Sequence, residues 1–222
     1  MIEQGGNLSE VRSAKIEGSS STGRGESRPG VESAVALAES CGYERGHSQQ
    51  VTRLALQLFD GLRQLHGLGD AERLLLECGA VLHDIGFAEG AKGHHKRARR
   101  MILEAEGLRL GERDRRIVAL LARYHRKAEP SEEHAEFAML TGRDREIVRA
   151  LAGILRVADG LDRTHTSACR SLACEDRGGS LLVRCRVPGP AESEAWAAKK
   201  KGGLLEEVFG RELKIEMMQE GT

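Results

Sequence analysis

Between Val51 and Leu65 apolar residues recur every three or four positions, at Val51, Leu54, Ala55, Leu58, Phe59, Leu62 and Leu65, the stripe of one long helix. Gly67 and Gly69 end it, and Asp70 is the expected N-cap of the next helix. There Leu74, Leu75, Leu76, Cys78, Ala80, Val81 and Leu82 leave no polar face, so that helix is expected to be buried on all sides. Further helices are expected over about 94–106, 111–125 and 143–161, the last again apolar all round through Ile147, Val148, Leu151, Ile154, Leu155 and Val157. After Thr166 the period switches to alternation, at Leu172 and Cys174 and then Leu181, Val183, Cys185 and Val187, across Arg177-Gly178-Gly179. That pattern predicts a β-hairpin. Pro188 and Pro190 lead into a helix over about 191–209, and Leu213 to Met217 reads as a returning strand.

Residues 1–30 are rich in Gly and Ser with no apolar period, a composition that cannot repay the entropy of ordering, so a disordered tail is expected there. The body divides into 31–168, helical, and 169–218, a small β-β-α-β unit, with 219–222 a short tail. The chain of 222 residues balances 34 Lys+Arg against 34 Asp+Glu, which argues against a double-stranded nucleic acid or membrane partner. Charge is nevertheless clustered: Lys92, Lys96, Arg97, Arg99 and Arg100 contain no acid among them, and Arg115, Arg116, Arg123, Arg126 and Lys127 follow. The five cysteines form no C-x-x-C pair, which fits a reduced, cytoplasmic protein better than a disulfide scaffold or zinc ribbon.

The histidines carry the chemical signal. At 100° per residue His47 shares the face of Val51 and Leu54, and His83 shares that of Leu76, Gly79 and Ala80, so both point inward. Asp84 follows His83 in an apolar helix end with no Lys or Arg within four residues, and Asp159 lies on the buried face of Ala152 and Leu155. Buried carboxylates need a partner, and a metal ion is one that also satisfies histidines. Two imidazoles and two carboxylates from three buried helices suit Mn, Fe, Co, Ni, Zn or Mg rather than a thiolate-seeking ion. For any one of these residues a hydrogen-bonded core histidine or helix-capping aspartate remains the simpler reading; the combination is what points to a metal. Among the remaining groups, His66 reads as a helix-end dipole partner, His134 as exposed and Trp196 and Phe209 as core anchors of the small domain rather than a base-stacking platform. His165 is placed near the site mouth, Lys199 to Lys201 read as a solvated face, and Asp162 either orients a ligand or pairs with Arg163.

The order His47, His83-Asp84, Asp159 resembles the H…HD…D signature of the HD phosphohydrolase superfamily. Longer strings are similar to the C-terminal half of the exopolyphosphatase/guanosine pentaphosphate phosphohydrolase family: His47-Ser48-x-x-Val51, Leu82-His83-Asp84-Ile85-Gly86, Gly93-His94-His95-Lys96 and Ala122-Arg123-Tyr124-His125-Arg126. The run from Leu155 to His165, Glu194-x-Trp196 and Lys199-Lys200-Lys201 continue the match. The resemblance implies a mainly α fold, an HD-type helical bundle followed by a small α+β domain, and a metal site of His47, His83, Asp84 and Asp159. By analogy with binuclear HD enzymes it adds His94 and His125 for a second ion, with His95 the rival of His94. Whether these outer histidines bind a metal or phosphate stays open at this stage. Full-length members of the family place actin-like catalytic lobes before this part, and the matching strings here all belong to the part that follows them.

The function expected is therefore hydrolysis of a phosphate ester or anhydride in a phosphate-rich small molecule, a nucleotide or polyphosphate, by metal-activated water and one or two divalent ions. Asp84, Lys96 and Arg126 are the expected catalytic residues, with Lys96, His95, Arg123, Arg126 and Arg163 binding substrate. The competing reading is a non-catalytic polyphosphate- or nucleotide-binding regulatory module. A cyclic-dinucleotide phosphodiesterase is disfavoured because the chain lacks the G-Y-P element of that branch. A homodimer is compatible with the exposed strand edge and is common among full-length relatives.

Overall fold

The computed structural model describes residues 28–220. Among the described residues eight helices precede a three-stranded sheet, and two more lie between its second and third strands. The helices are α1 (Pro29–Ser40), α2 (Arg45–Gly61), α3 (Arg63–His66), α4 (Asp70–Leu82), α5 (His94–Glu104), α6 (Glu112–Tyr124), α7 (Ala135–Ala138), α8 (Gly142–Gly160), α9 (Glu192–Lys201) and α10 (Gly203–Phe209). A 3₁₀ turn spans Ile85–Glu89, and the strands are β1 (Ser171–Asp176), β2 (Ser180–Val187) and β3 (Glu212–Gln219). The fold is mainly α with a small α+β part, as the change of hydrophobic period predicts. Most of the expected tail, residues 1–27, and the last two residues lie outside the described residues.

Helix α8 organises the molecule. Every residue from Ala150 to Gly160 is buried, and α2, α4, α6, α9 and α10 all pack on it. Thr141 caps its start, its hydroxyl accepting the Asp144 N–H at 3.1 Å. Close to its end, a Cβ on Gly160 would stand 2.6 Å from the Ala198 Cα, so glycine is what lets α9 cross α8 there. One apolar cluster runs from Ala34 through Leu213, spanning the helices and the sheet. In the sheet β1 pairs antiparallel with β2, Cys174 opposite Val183, and β2 pairs parallel with β3, Val183 opposite Ile215. The parallel return requires the crossover that α9 and α10 supply.

Several local expectations are corrected. The 51–65 stripe is broken at Leu62, where α2 gives way to the short α3, and Gly67 closes α3 in the left-handed conformation. Gly69, not Asp70, caps α4, its N–H donating to the Glu72 carboxylate at 2.8 Å. The expected 191–209 helix is split at Gly202, because Leu213 of β3 occupies the space a continuing side chain needs. Trp196 is 61 % exposed rather than a core anchor. The close crossing of α8 and α9 admits only Ala197 and Ala198 and turns the neighbouring indole outward. His134 is half-buried, its Nδ1 3.0 Å from the Tyr124 hydroxyl.

Candidate metal centre

Four helix ends meet on one side of α8. The first turn of α2 supplies His47, the end of α4 supplies His83 and Asp84, α5 opens with His94, and His125 follows the last residue of α6. Asp159 comes from the last turn of α8 and Asp162 from just beyond it. Helix ends suit this task because their last carbonyls lack intrahelical partners. His83 Nδ1 donates to the Ala80 carbonyl at 2.6 Å and His125 Nδ1 to the Ala122 carbonyl at 2.8 Å, so each histidine satisfies an orphan acceptor of its own helix. His94 Nδ1 donates to the Ala91 carbonyl at 2.9 Å, and His47 Nδ1 donates to Asp162 Oδ2 at 2.8 Å.

These four bonds fix the tautomers. With each Nδ1 proton committed, every Nε2 of a neutral ring presents a lone pair, and all four point into one space. His47 and His83 Nε2 stand 3.4 Å apart, two acceptors while both rings are neutral and a donor–acceptor pair once His47 carries its second proton. The carboxylate of Asp84 lies between the pairs. Its Oδ2 is 3.5 Å from His83 Nε2 and 3.9 Å from His47 Nε2, while its Oδ1 is 3.1 Å from His94 Nε2 and 3.3 Å from His125 Nε2. That Oδ1 is buried without a well-formed hydrogen bond. Asp159 Oδ1 closes on His47 Nε2 at 3.5 Å, and its other oxygen pairs with the Lys201 ammonium. Two overlapping sets of potential metal ligands result, His47–His83–Asp84 and Asp84–His94–His125, sharing Asp84.

Acceptors facing acceptors is a costly arrangement unless protons or cations lie among them. The titration of the cluster reflects this. Burial works against a charge on His47, yet the hydrogen bonds to Asp159 and Asp162 outweigh it and raise its pKa to about 9. Burial opposes ionisation of Asp84 and Asp159 too. The neighbouring histidines hold Asp84, and His47 with Lys201 holds Asp159, well below the usual carboxylate range. His125 is pushed down to about 3 by burial and by His83, which keeps it neutral and able to act as a ligand.

Above the cluster opens a cavity of about 590 Å³. Its floor includes His47, Asp84, His125 and Asp159, and its rim is cationic: Arg126, Lys127, Arg163, Lys200 and Lys201. His165, at φ +57°, stacks on His47 with ring centroids 3.8 Å apart and 3° between planes, its Nδ1 held by Glu44 at 2.8 Å. Phe87 stacks on His94 at 3.8 Å. A separate apolar cleft of about 220 Å³, lined by Leu103, Leu120, Met139 and Leu140, brings no comparable set of ligating groups together.

The expected site residues are thus sorted by the fold. His47, His83, Asp84, His94, His125 and Asp159 converge, and Arg126 and Arg163 line the cavity above them. Lys96, His95 and Arg123 are not among its lining. His94 faces the cluster from the first residue of α5, so His95, one residue on, turns toward Arg123 of α6 and Lys96 faces solvent. The sequence reading left Asp162 undecided; it is fully buried and orients His47. It missed Lys201 as the partner of Asp159. It did not foresee the bonds of Arg156, whose guanidinium donates to the carbonyls of Tyr124 at 3.0 Å and Lys201 at 3.3 Å, tying two helix ends to the site. The i, i+3 spacing of Asp159 and Asp162 was the available signal for the first; the other two rest on contacts far apart in sequence.

The family described as Ppx/GppA phosphatase, domain III, matches residues 31–180. No curated protein matches the chain.

Proposed function

The chain belongs to the Ppx/GppA phosphatase domain III family, whose context is polyphosphate and nucleotide phosphatases, and from that membership we propose that it is itself a metal-dependent phosphohydrolase with an HD-type site. The observation that carries this reading is the convergence on two carboxylates of four histidines whose Nδ1 protons are already committed, leaving each Nε2 of a neutral ring free to ligate. Such a donor set fits one or two divalent ions of the nitrogen- and oxygen-binding kind: His47, His83, Asp84 and Asp159 would hold the first, and Asp84, His94 and His125 the second. Ions bound there would supply Lewis acidity and lower the pKa of a water at the floor of the cavity.

The rest of the chemistry belongs to the chain. Arg126, Lys127, Arg163 and Lys200 on the rim bind phosphoryl oxygens and take up the charge that spreads over them during hydrolysis. Asp162 holds the Nδ1 proton of His47 and so keeps Nε2 available. His165 closes one wall of the cavity, fixed by Glu44 and by its stack on His47. The substrate class this supports is an anionic phosphate ester or anhydride, a nucleotide or a polyphosphate.

One contact favours a second reading. The ammonium of Lys201 already neutralises Asp159, as in a site that binds polyphosphate or nucleotide and regulates a partner without turnover. The two are separated by metal content of the purified protein measured beside phosphate release from nucleotides and polyphosphate with Mn²⁺, Co²⁺, Ni²⁺, Zn²⁺ or Mg²⁺, for wild type and Asp84→Ala. Metal-dependent release that the variant lacks is the expected result. Tight ligand binding without release on any substrate selects the regulatory reading, and a chain that takes up no metal under replete conditions ends the assignment of the ligands.

A further inference from the structure

Trp196 is the chain's single tryptophan, and it stands outside the core on the exposed side of α9. Its packing role is slight, since Ala197 and Ala198 make the contact with α8. The indole instead lines a shallow cavity of about 660 Å³ with Arg163, Thr164, Glu192 and Ser193. This cavity adjoins the one over the His/Asp cluster, because Arg163 lines both. Lys200 is a second link: its ammonium lies 4.5 Å from the indole centroid and also lines the cluster cavity. A flat aromatic surface thus continues directly from a cationic wall that faces the proposed phosphate position. Thr164, between them, is held in place by Glu194, which accepts from its backbone N–H at 3.2 Å.

We propose that Trp196 is the stacking platform of a second subsite, which takes the base of a nucleotide whose phosphates lie under Arg163, Lys200 and Lys201. Base faces stack on exposed aromatic side chains with little dependence on base identity, and cations alongside track the phosphates. A bare polyphosphate uses only the cationic wall, so the subsite makes the chain prefer nucleotides over inorganic chains of equal charge. Glu192 and Ser193 add polar acceptors in the same cavity for N–H groups on the base edge. The inference rests on the phosphate-binding reading of the cluster cavity and extends it by naming what lies beside the phosphate.

Because Trp196 is alone, its fluorescence reports the subsite directly. The full-length protein is titrated with ATP, GTP and inorganic tripolyphosphate in Mg²⁺, following Trp196 emission and, in parallel, binding heat. Saturable quenching by both nucleotides and at least about tenfold tighter binding than tripolyphosphate are expected. Trp196→Ala is expected to erase that advantage while tripolyphosphate still binds, and Trp196→Phe to restore most of it. Equal affinity for nucleotide and tripolyphosphate in the wild type, or an advantage that survives Trp196→Ala, overturns the subsite and leaves the phosphohydrolase reading standing. Failure of all three ligands to bind overturns both. Emission that shifts to the blue with protein concentration and ignores nucleotide assigns the indole to a contact between two copies, and overturns the subsite as well.

Discussion

Asp84 is the residue on which the centre turns, because one carboxylate faces both histidine pairs. Replacing His125 by Ala removes a ligand from one set only. Metal analysis after dialysis is expected to show His125→Ala retaining one ion per chain and Asp84→Ala retaining none, if the wild type holds two. Asp162 acts one step further out. Its Oδ2 accepts the His47 Nδ1 proton and its Oδ1 accepts the Ser167 N–H at 2.8 Å, so both oxygens are needed as acceptors. Asp162→Asn forces an amide N–H against one of those donors and is expected to weaken metal binding about 10- to 100-fold without touching a ligand, measured by competition with a chromophoric chelator. In the sequence Asp84 was visible as a carboxylate in an apolar setting and Asp162 as a group beside Arg163. The job of Asp162 was not, because it depends on a bond to a histidine 115 positions earlier.

Between elements, the decisive contacts are those where backbone meets backbone. A Cβ on Gly86 would lie 2.1 Å from the His94 carbonyl oxygen and 2.7 Å from the Ala98 nitrogen, so the 3₁₀ turn sits directly on α5. Gly86→Ala must push α5 away, and with it His94 from Asp84. The expected cost is about 1–3 kcal/mol of stability, read by urea denaturation, together with loss of the Asp84–His94–His125 ion while His47–His83–Asp84 keeps its own. In the C-terminal part Glu206 of α10 accepts from Lys199 Nζ at 2.6 Å and from the Leu213 N–H at 2.7 Å, joining α9, α10 and β3. Burial disfavours its charge, but the bonds from Lys199 and Leu213 outweigh that and lower its pKa. A lowered carboxylate stabilises fully above its unfolded pKa of about 4.3, and that contribution fades as pH falls through the lower folded value. Glu206→Gln is therefore expected to cost about 1 kcal/mol at neutral pH, with the gap between the two urea midpoints narrowing progressively at more acid pH.

For the molecule as a whole, a cluster of lone pairs at the meeting of four helix ends couples metal binding to folding. Only the folded chain assembles these ligands, so at a metal concentration of about 100 times Kd the stabilisation is about 2.7 kcal/mol. For a chain of this size that corresponds to a rise in Tm of roughly 5–10 °C. Thermal denaturation with and without Zn²⁺ or Mn²⁺ is expected to show the rise and its reversal by a chelator; an unchanged Tm argues that the cluster does not bind the ion. The same assembly draws on both ends of the chain, since Lys200 and Lys201 from α9 complete a cavity whose floor begins at His47. No helix among the described residues is long and apolar enough to cross a membrane, and the structure sets this cavity on the surface of one continuous core.

What the sequence by itself determined is the set of local, periodic facts. The apolar stripes placed the helices of the bundle, the change of period after Thr166 placed the sheet, and the inward phase of His47, His83 and Asp159 named the first ligands, because the 100° step of a helix turns spacing into direction. Helix ends shifted by a residue or two and breaks such as Leu62 and Gly202 escaped it, since they depend on what a neighbouring element leaves room for. The tertiary structure alone decided which outer groups belong to the centre. It brought Lys201 to Asp159, left Lys96 in solvent and exposed Trp196, and it set His94, the choice the resemblance favoured, rather than His95 against Asp84. Each of those outcomes is fixed by the angle at which two helices cross, and that angle is settled by side chains far apart in the chain, which no local pattern records.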